Sequence, residues 1–300
     1  MTLRSSLPSQ VCVAICEHIS EVTGTRFNTP RTRPVSGGDS HSACLLENDT
    51  ARYFVKIRQD QGPYQLVHEA DGNHAIQNTV SIRCPTVICR GTTTNPDYEY
   101  LVLEYIQFIR PEPASWEQFA DDLAHFHQSA PSSQYGWPDD NYIGLSPQLN
   151  TQHSCWAEFF AQYRIGAMLN KLDAKGDSLT DTPRFIENVA LILADYQPEP
   201  AMLHGDLWSG NIGFSPDGPV IFDPAVYVGD RETDIAMTRM FGSLPDHFYK
   251  RYYTHYPPAD GYRTRSRLYQ LYHLLNHALL FGGHYLQASK SAIIDLQKEL

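Results

Sequence analysis

Two short polar motifs, each following a short apolar run, constrain the fold of this chain more than any other feature. The first, HGDLWSGN, occupies positions 204–211, and the second, VIFD, ends at Asp223. Apolar runs this short predict strands rather than helices, with a turn between them. Such a hairpin places Asn211 beside Asp223, with Asp206 close by. Carboxylate and carboxamide oxygens suit Mg²⁺, so the pattern predicts a cleft that holds a metal-bound nucleotide.

The spacing inside the first motif indicates the chemistry. The kinase catalytic loop reads H-R-D-L-x-x-x-N, in which the Asp is the base and the Asn is a metal ligand. Asp206 and Asn211 keep that spacing, so Asp206 is the predicted catalytic base. Asn211 and Asp223 are the predicted metal ligands, and His204 is predicted to brace the loop by hydrogen bonds. The alternative is a set of Asx residues that cap turns and helices.

Upstream residues supply candidates for the remaining parts of a phosphoryl-transfer site. Gly37 and Gly38 lie between two predicted strands, where backbone N–H groups can approach a phosphate; a plain hairpin turn explains them equally well. Lys56 sits in the apolar strand FVKI and would point at the phosphates. Glu69, on the next predicted helix, could hold its ammonium group. The alternative is a surface lysine and a solvated glutamate.

The order of predicted elements changes along the chain. A helix over 9–22 and another over 68–77 accompany strands at 43–47, 53–57, 86–88 and 98–106. After the composition break at Arg110–Pro113 the pattern is mostly helical. Ser115 is the predicted N-cap of a helix ending near 128, because Gln118 follows it three residues on. Further helices are predicted over 156–172, from 182, over 233–241 and over 263–286. We therefore predict an N-terminal lobe at 1–106 and a C-terminal lobe at 107–300.

Two further acids follow the second motif. Asp230 is predicted to cap the next helix and Asp234 to brace the catalytic loop, although both could simply be capping residues. Only eleven positions separate Asp223 from Asp234. That spacing leaves no room for the long activation segment of protein kinases. It favours a small-molecule or side-chain-adduct substrate over a peptide.

Composition excludes several classes of partner. The 300-residue chain has a formal net charge of −11, which disfavours nucleic acid and anionic membranes. The charge is compatible with a cationic substrate or with a solvated acidic surface. None of the six cysteines forms a C-x-x-C pair, so no zinc site is predicted. No apolar run is long enough for a signal peptide or a membrane span, which predicts a soluble, cytoplasmic protein.

Motifs along most of the chain carry a family resemblance. PVSGGDSH, FVKI, LVLEYI, QYGW, DNYIGL, WAEFFAQYRI, LHGDLWSGN, IFDPAVYVGDRETDIAMTRMFG and YQLYHLLNHALLFGGHYL together resemble the fructosamine kinase (ketosamine-3-kinase) family, in particular its bacterial branch. The resemblance extends from about Pro34 to Leu286. Trp208 and the DPA tripeptide distinguish it from protein, aminoglycoside and choline kinases. It implies an α+β, bilobal protein-kinase-like (aminoglycoside-phosphotransferase-like) fold with a β-rich N-lobe and a helical C-lobe.

The resemblance also implies an activity and a set of site residues. The family phosphorylates the sugar 3-hydroxyl of fructosamines or ribulosamines at the expense of ATP, with Mg²⁺, and the phosphorylated adduct then releases its amine. The adduct is carried on small amines or on protein lysines. By position, the resemblance implies that Asp206 is the base and that Asn211 and Asp223 bind Mg²⁺. It implies that Lys56, paired with Glu69, contacts the phosphates together with Gly37 and Gly38. The adenine would contact Glu104, Tyr105 and Ile106, and the acceptor would contact Trp208, Tyr269 and His273.

Three alternatives stay open at this point. The chain could be an aminoglycoside or other small-molecule kinase on the same scaffold, or a nucleotide-binding module without turnover. It could also be a hydrolase in which His204, Asp206 and Asp223 bind the metal. Some family members carry a cysteine in the phosphate loop, but here the first cysteine after the loop is Cys44. A disulfide-linked dimer through that loop is therefore not expected, and we predict a monomer or weak homodimer.

Overall fold

The computed structural model describes residues 7–35, 42–59 and 65–299. The N-terminal elements are α1 Ser9–Thr23, β1 Arg31–Val35, β2 Ser42–Glu47, β3 Arg52–Gln59, α2 Gln65–Thr79, β4 Val87–Thr93 and β5 Tyr98–Glu104. The strands form one antiparallel sheet in the order β1-β2-β3-β5-β4. Gly37 and Gly38 lie outside the described residues, so their predicted role at the phosphates stays a prediction.

Helix α1 covers one face of this sheet. Val11, Ile15 and Ile19 recur four positions apart and are fully buried, in the same apolar cluster as Val55 of β3, as expected for an amphipathic helix. The helix ends at Gly24, whose φ of 66° is the left-handed conformation that glycine adopts without strain. The predicted helix over 9–22 is thereby confirmed.

The second N-terminal helix determines the position of a charged pair. Strand β3 lies between β2 and β5, so Lys56 sits in the interior of the sheet. Helix α2 packs through Leu66 and Ala70 against β5. That packing brings Glu69 of α2 next to the Lys56 side chain.

The C-terminal part is mostly helical. Its elements are α3 Pro113–Gln128, β6 Asn141–Ile143, β7 Ser146–Gln148, α4 Trp156–Phe159, α5 Ala167–Lys175, α6 Thr182–Ile192, β8 Ala201–Leu203, β9 Ile212–Ser215, β10 Gly218–Ile221, β11 Tyr227–Gly229, α7 Glu232–Met237, α8 Asp246–His255, α9 Tyr262–Phe281 and α10 His284–Gln297. A π-helical turn at Phe160–Gly166 joins α4 to α5. The short strands pair as β6–β7, β8–β11 and β9–β10.

Three helices differ from the sequence-based prediction, and one of them, α7, ends at Met237 rather than at 241. Helix α3 begins at Pro113, and Ser115 is not its N-cap: the Ser115 hydroxyl accepts a hydrogen bond from the Glu112 N–H (3.2 Å) inside the first turn. The helix predicted over 263–286 is interrupted at Gly282 and Gly283, which both have positive φ values (62° and 55°). The chain therefore turns sharply between α9 and α10, whereas we predicted one continuous helix.

The connection between the two parts lies between β5 and α3. The last sheet strand ends at Glu104 and the next helix begins at Pro113, so the predicted limit at 106/107 falls inside this connection. The lobe limits themselves stay a prediction. Within the described ranges, none of the helices is both long and apolar enough to cross a membrane.

Candidate active site

The catalytic loop is packed directly against the segment that follows Asp223. Strands β8 and β11 pair antiparallel, and the Ala225 N–H donates to the His204 carbonyl oxygen at 2.8 Å. Gly205 has a φ of 82°, and a Cβ at this position would collide with the Ala225 carbonyl group. The glycine of HGD is therefore required by both backbone conformation and space.

His204 braces the loop, as predicted. Its buried Nε2 donates to the Phe222 carbonyl oxygen (2.9 Å), and its Nδ1 accepts from the Asp206 N–H (3.2 Å). Burial lowers the pKa of His204, so the ring is neutral and each nitrogen has one fixed hydrogen-bonding role. Both nitrogens are occupied, which argues against His204 as the metal ligand of a hydrolase. Among the residues described, no three His, Cys, Asp or Glu side chains are grouped to hold a metal ion.

Asp234 also braces the loop, which confirms that prediction. Its carboxylate accepts hydrogen bonds from the N–H groups of His204 (2.8 Å) and Gly205 (2.9 Å), and from Nε2 of His127 (3.3 Å). Burial raises the pKa of Asp234, but the hydrogen bonds and the histidines beside it outweigh burial and lower that pKa overall. The side chain is therefore an ionised, buried anchor for the catalytic loop.

Removing this anchor should destabilise the protein. We expect Asp234→Ala to lower the free energy of unfolding by about 2–5 kcal/mol, because it leaves two buried N–H groups without acceptors. Urea denaturation followed by circular dichroism measures the change. Asp195→Ala, at an exposed position of a loop, is the matched control and should stay within about 0.5 kcal/mol. Equal midpoints for the two variants would contradict the anchoring role.

The β9–β10 hairpin brings the predicted metal ligands together. The Phe222 N–H donates to the Asn211 carbonyl oxygen at 3.1 Å, which places Asn211 and Asp223 side by side. The Asn211 amide nitrogen donates to the Asp206 backbone oxygen (2.9 Å) and to its Oδ2 (3.3 Å). This leaves Oδ1 of Asn211 as the group available for a cation. Asp223 adopts a φ of 60°, an uncommon conformation for a non-glycine residue.

Lys56 links the two parts of the chain across the cleft. Its Nζ donates to Oε1 of Glu69 (2.7 Å) and to Oδ1 of Asp223 (2.6 Å). Burial lowers the pKa of Lys56, but the two carboxylates outweigh burial and raise it above its usual value. The lysine is therefore a permanent cation. The predicted pairing with Glu69 is confirmed, and contact with Asp223 was not predicted.

Buried side chains of β6 and β7 form hydrogen bonds to the segment that follows Asp223. Nε2 of Gln148 donates to the Ala225 carbonyl oxygen (3.0 Å), and Nδ2 of Asn141 donates to that of Val226 (2.7 Å). Gln148 also donates to Oδ1 of Asn141 (2.8 Å). All these groups are buried. The carbonyl groups next to the candidate metal ligand are thus held by side chains from β6 and β7.

The predicted catalytic base, metal ligands and lysine line a single cavity of about 570 Å³. Asp206, Asn211, Asp223 and Lys56 are neighbours in its lining, as the sequence predicted for the cleft. Burial, with the charge of Asp223 as a second cause, raises the pKa of Asp206 to about 7. The described lining also includes Glu69, Gln65, His68, Asn141, Tyr142, Gly144, Trp208, Pro224, Ala225, Met237, Phe241, Asn276, His277, Leu280, Phe281 and Tyr285.

Two predicted acceptor residues are placed outside this lining. Tyr269 is buried, donating its hydroxyl to Asp230 (2.6 Å) and accepting from Nε1 of Trp156 (2.9 Å). It is a core residue in this structure, and its predicted contact with the acceptor is not supported. His273 is also buried, but its Nδ1 lies 4.0 Å from Oδ1 of Asp206. Burial lowers the pKa of His273 to about 3, so it is a neutral neighbour of Asp206.

The predicted adenine contacts lie away from the cavity lining. The Glu104 side chain accepts from Arg83 (2.6 Å), and the Glu104 N–H donates to the Thr86 carbonyl oxygen (2.8 Å). Within the described part of the chain, the backbone N–H groups of Tyr105 and Ile106 donate to no backbone carbonyl group. They remain the candidates for adenine recognition, which stays a prediction for all three residues.

The sheet with its ion-paired lysine, and the helical part with its Asp-x4-Asn loop, define a phosphotransferase of the bilobal, protein-kinase-like fold. A thermostable mutant of the aminoglycoside phosphotransferase APH(4)-Ia, solved with AMP-PNP and hygromycin B, has this fold. It matches with a TM-score of 0.65 and 14% identity over 95% of this chain and 98% of its own. The predicted fold class is confirmed.

The chain belongs to the fructosamine kinase family, whose model matches residues 11–299. The probable ketoamine kinase of Synechocystis sp. is 41% identical over 294 residues, covering 98% of each protein. The chloroplastic protein-ribulosamine 3-kinase of Arabidopsis thaliana is 36% identical over 271 residues, or 89% of this chain and 82% of that protein. A protein of Haemophilus somnus 129PT, assigned as a fructosamine-3-kinase, has a TM-score of 0.88 and 30% identity over 94% of this chain and 96% of its own. The predicted family is confirmed, and a kinase is favoured over a non-catalytic module.

Proposed function

We propose that this protein transfers the γ-phosphoryl group of ATP to the sugar 3-hydroxyl of a ketosamine, a fructosamine or ribulosamine adduct of an amine. The convergence of Asp206, Asn211, Asp223 and Lys56 on one cavity is the observation that carries the proposal. Family membership and the names of the relatives support the choice of acceptor. The phosphorylated adduct then falls apart and leaves the amine free.

The residues present fit a magnesium ion. Asn211 offers its amide oxygen, because its amide nitrogen is turned toward Asp206. Asp223 offers its second carboxylate oxygen, because Oδ1 accepts from Lys56. Oxygen donors of this kind are those that Mg²⁺ prefers when it also binds phosphates. When bound, the ion would neutralise charge on the transferring phosphoryl group.

The remaining steps depend on positioning by this chain's own side chains. Asp206 accepts a hydrogen bond from the attacking hydroxyl and takes its proton as the new O–P bond forms and the bond to the ADP oxygen breaks. The Lys56 cation, held by Glu69, stabilises negative charge on the phosphates. Trp208, which follows Asp206 by two residues and lines the same cavity, flanks the sugar.

An ATP-consumption assay tests the proposal with three acceptors: a fructosamine, a ribulosamine and an aminoglycoside. We expect ADP release with a ketosamine, and ³¹P and ¹³C NMR should locate the phosphate on the sugar 3-oxygen. Turnover with the aminoglycoside alone would contradict the proposal in favour of the other small-molecule kinases. ATP binding without turnover of any acceptor would favour a binding module.

The cellular location, the oligomeric state and the partners of the protein follow in part from its sequence. We further propose a cytoplasmic protein that acts as a monomer or weak homodimer on free ketosamines or on glycated lysines, without nucleic-acid or membrane partners. The net charge of −11 supports the last point. Size-exclusion chromatography with light scattering tests the oligomeric state.

A further inference from the structure

An aromatic wall extends from the catalytic loop to the mouth of the cavity. It consists of Trp208, Phe241, His277, Phe281 and Tyr285, all of which line the cavity. The ring centroids of Trp208 and Phe241 are 5.8 Å apart, and those of Phe241 and His277 are 5.0 Å apart. His277 in turn lies 5.6 Å from Phe281 and 5.0 Å from Tyr285. The rings therefore form a continuous surface that begins two residues from Asp206.

The interruption between α9 and α10 creates the outer half of this wall. His277 and Phe281 lie four positions apart on α9, so they share one helix face. The sharp turn at Gly282 and Gly283 lets α10 start in a new direction, and Tyr285 in its first turn meets both of those rings. Phe281 is 51% exposed, which places it at the rim, where the cavity opens to solvent.

The charges around the cavity favour a cation at this wall. Among the described lining residues, the acidic side chains of Glu69, Asp206 and Asp223 outnumber the basic side chain of Lys56, and burial raises the pKa of Asp206 to about 7, so that this group is partly ionised at neutral pH. Lys56 is already paired with two of the three acidic side chains, and arginine is absent from that part of the lining. The faces of aromatic rings attract cations as well. The part of the cavity beside the aromatic wall therefore suits a positively charged group that lies against the faces of the rings.

We propose that the wall of Trp208, Phe241, His277, Phe281 and Tyr285 binds the protonated amine of the acceptor, so that ketosamines of alkylamines are selected over those of arylamines. This assignment rests on the proposed function, which places the sugar at Asp206 and Trp208. The amine is attached to the sugar carbon chain close to the reacting hydroxyl, so it lies near the inner rings of the wall, Trp208 and Phe241, and its substituent extends toward the rim. An alkylamine that carries a ketosugar is protonated near neutral pH, whereas an arylamine is not.

A matched pair of acceptors separates charge from apolar contact. The deoxyfructosyl adducts of cyclohexylamine and of aniline share the sugar and carry a six-membered ring, but only the first carries a positive charge at pH 7. We expect kcat/KM for the cyclohexylamine adduct to exceed that for the aniline adduct by about 3- to 30-fold, the range of a partly desolvated cation–π contact.

Substitutions at Phe241 identify the wall as the source of this selectivity. Phe241→Leu keeps an apolar side chain at a half-buried position but removes the ring that lies 5.8 Å from Trp208, and we expect it to lower the ratio of the two kcat/KM values by about threefold or more. Phe241→Tyr retains the ring and should retain the ratio. Circular dichroism and melting temperature confirm that each variant is folded.

The possible outcomes are distinct. A parallel fall of both kcat/KM values in Phe241→Leu, with an unchanged ratio, would overturn cation recognition and leave the proposed function standing. Equal kcat/KM values for the two adducts in the wild-type enzyme would also overturn cation recognition and leave the proposed function standing. Failure of the wild-type enzyme to phosphorylate either adduct would overturn the proposed function, and the assignment of the wall with it.

Discussion

Asp206→Asn should lower kcat for a ketosamine by about 100- to 10,000-fold, the range for loss of a general base. The carboxamide keeps the size of the side chain but cannot take a proton from the attacking hydroxyl. The main hydrogen bond of Asn211 goes to the Asp206 backbone oxygen (2.9 Å) and survives the substitution. The nucleotide site should therefore stay intact. Steady-state ADP release measures kcat, and calorimetry measures the affinity for Mg·ATP.

Asp195→Asn provides the control, since it makes the same chemical change at an exposed site and should leave both quantities unchanged. The decisive pattern is a large loss of kcat with a dissociation constant for Mg·ATP within about threefold of the wild-type value. Near-normal turnover in Asp206→Asn would show that another group is the base. Loss of both turnover and nucleotide binding would show that Asp206 acts mainly in the structure of the site.

Asp223→Ala should instead weaken the binding of Mg·ATP by about 100-fold or more. Even the outer partners of metal ligands contribute 10- to 100-fold to metal affinity, and Asp223 is the charged member of the proposed ligand pair. The substitution also frees Lys56 from one of its two carboxylates, which by itself would favour phosphate binding. Calorimetry with ATP in the presence of Mg²⁺, and again in the presence of EDTA, separates the two effects.

The control for this variant is Asp217→Ala, in the turn of the same β9–β10 hairpin, where the side chain is 75% exposed and paired with Arg83. It should bind Mg·ATP normally. In the wild-type enzyme Mg²⁺ should strengthen ATP binding, and in Asp223→Ala most of that gain should be lost. If Mg²⁺ strengthens ATP binding equally in both proteins, Asp223 is not a metal ligand.

The catalytic segment could be predicted because its geometry is local. Asp206, Asn211 and Asp223 lie within eighteen positions on a loop and one hairpin, and the register of a short hairpin determines which side chains are neighbours. Glu69 was also predictable beside Lys56, because a strand and the helix that follows it pack together. The contact of Lys56 with Asp223 joins residues 167 positions apart, and no local pattern encodes such a distance.

The acceptor side was predicted less well. Tyr269 and His273 lie on the expected helix, but helical position alone does not show which face is buried in the core. Three hydrogen-bonding and aromatic partners, Asp230, Trp156 and Phe160, hold Tyr269 inside. The paired glycines at 282 and 283 were a usable signal for a helix break, and we predicted a continuous helix across them.

The sequence by itself determined the fold class, the family and the order of the acidic and amide groups at the phosphate end, because motif spacing and strand or helix periodicity are properties of neighbouring residues. Only the tertiary structure decided that Lys56 bridges Glu69 and Asp223, that Tyr269 belongs to the core, and that Tyr285 turns back to complete an aromatic wall. These features depend on how helices and lobes pack across long separations in the chain. Many residues together determine that packing, and no single sequence motif predicts it.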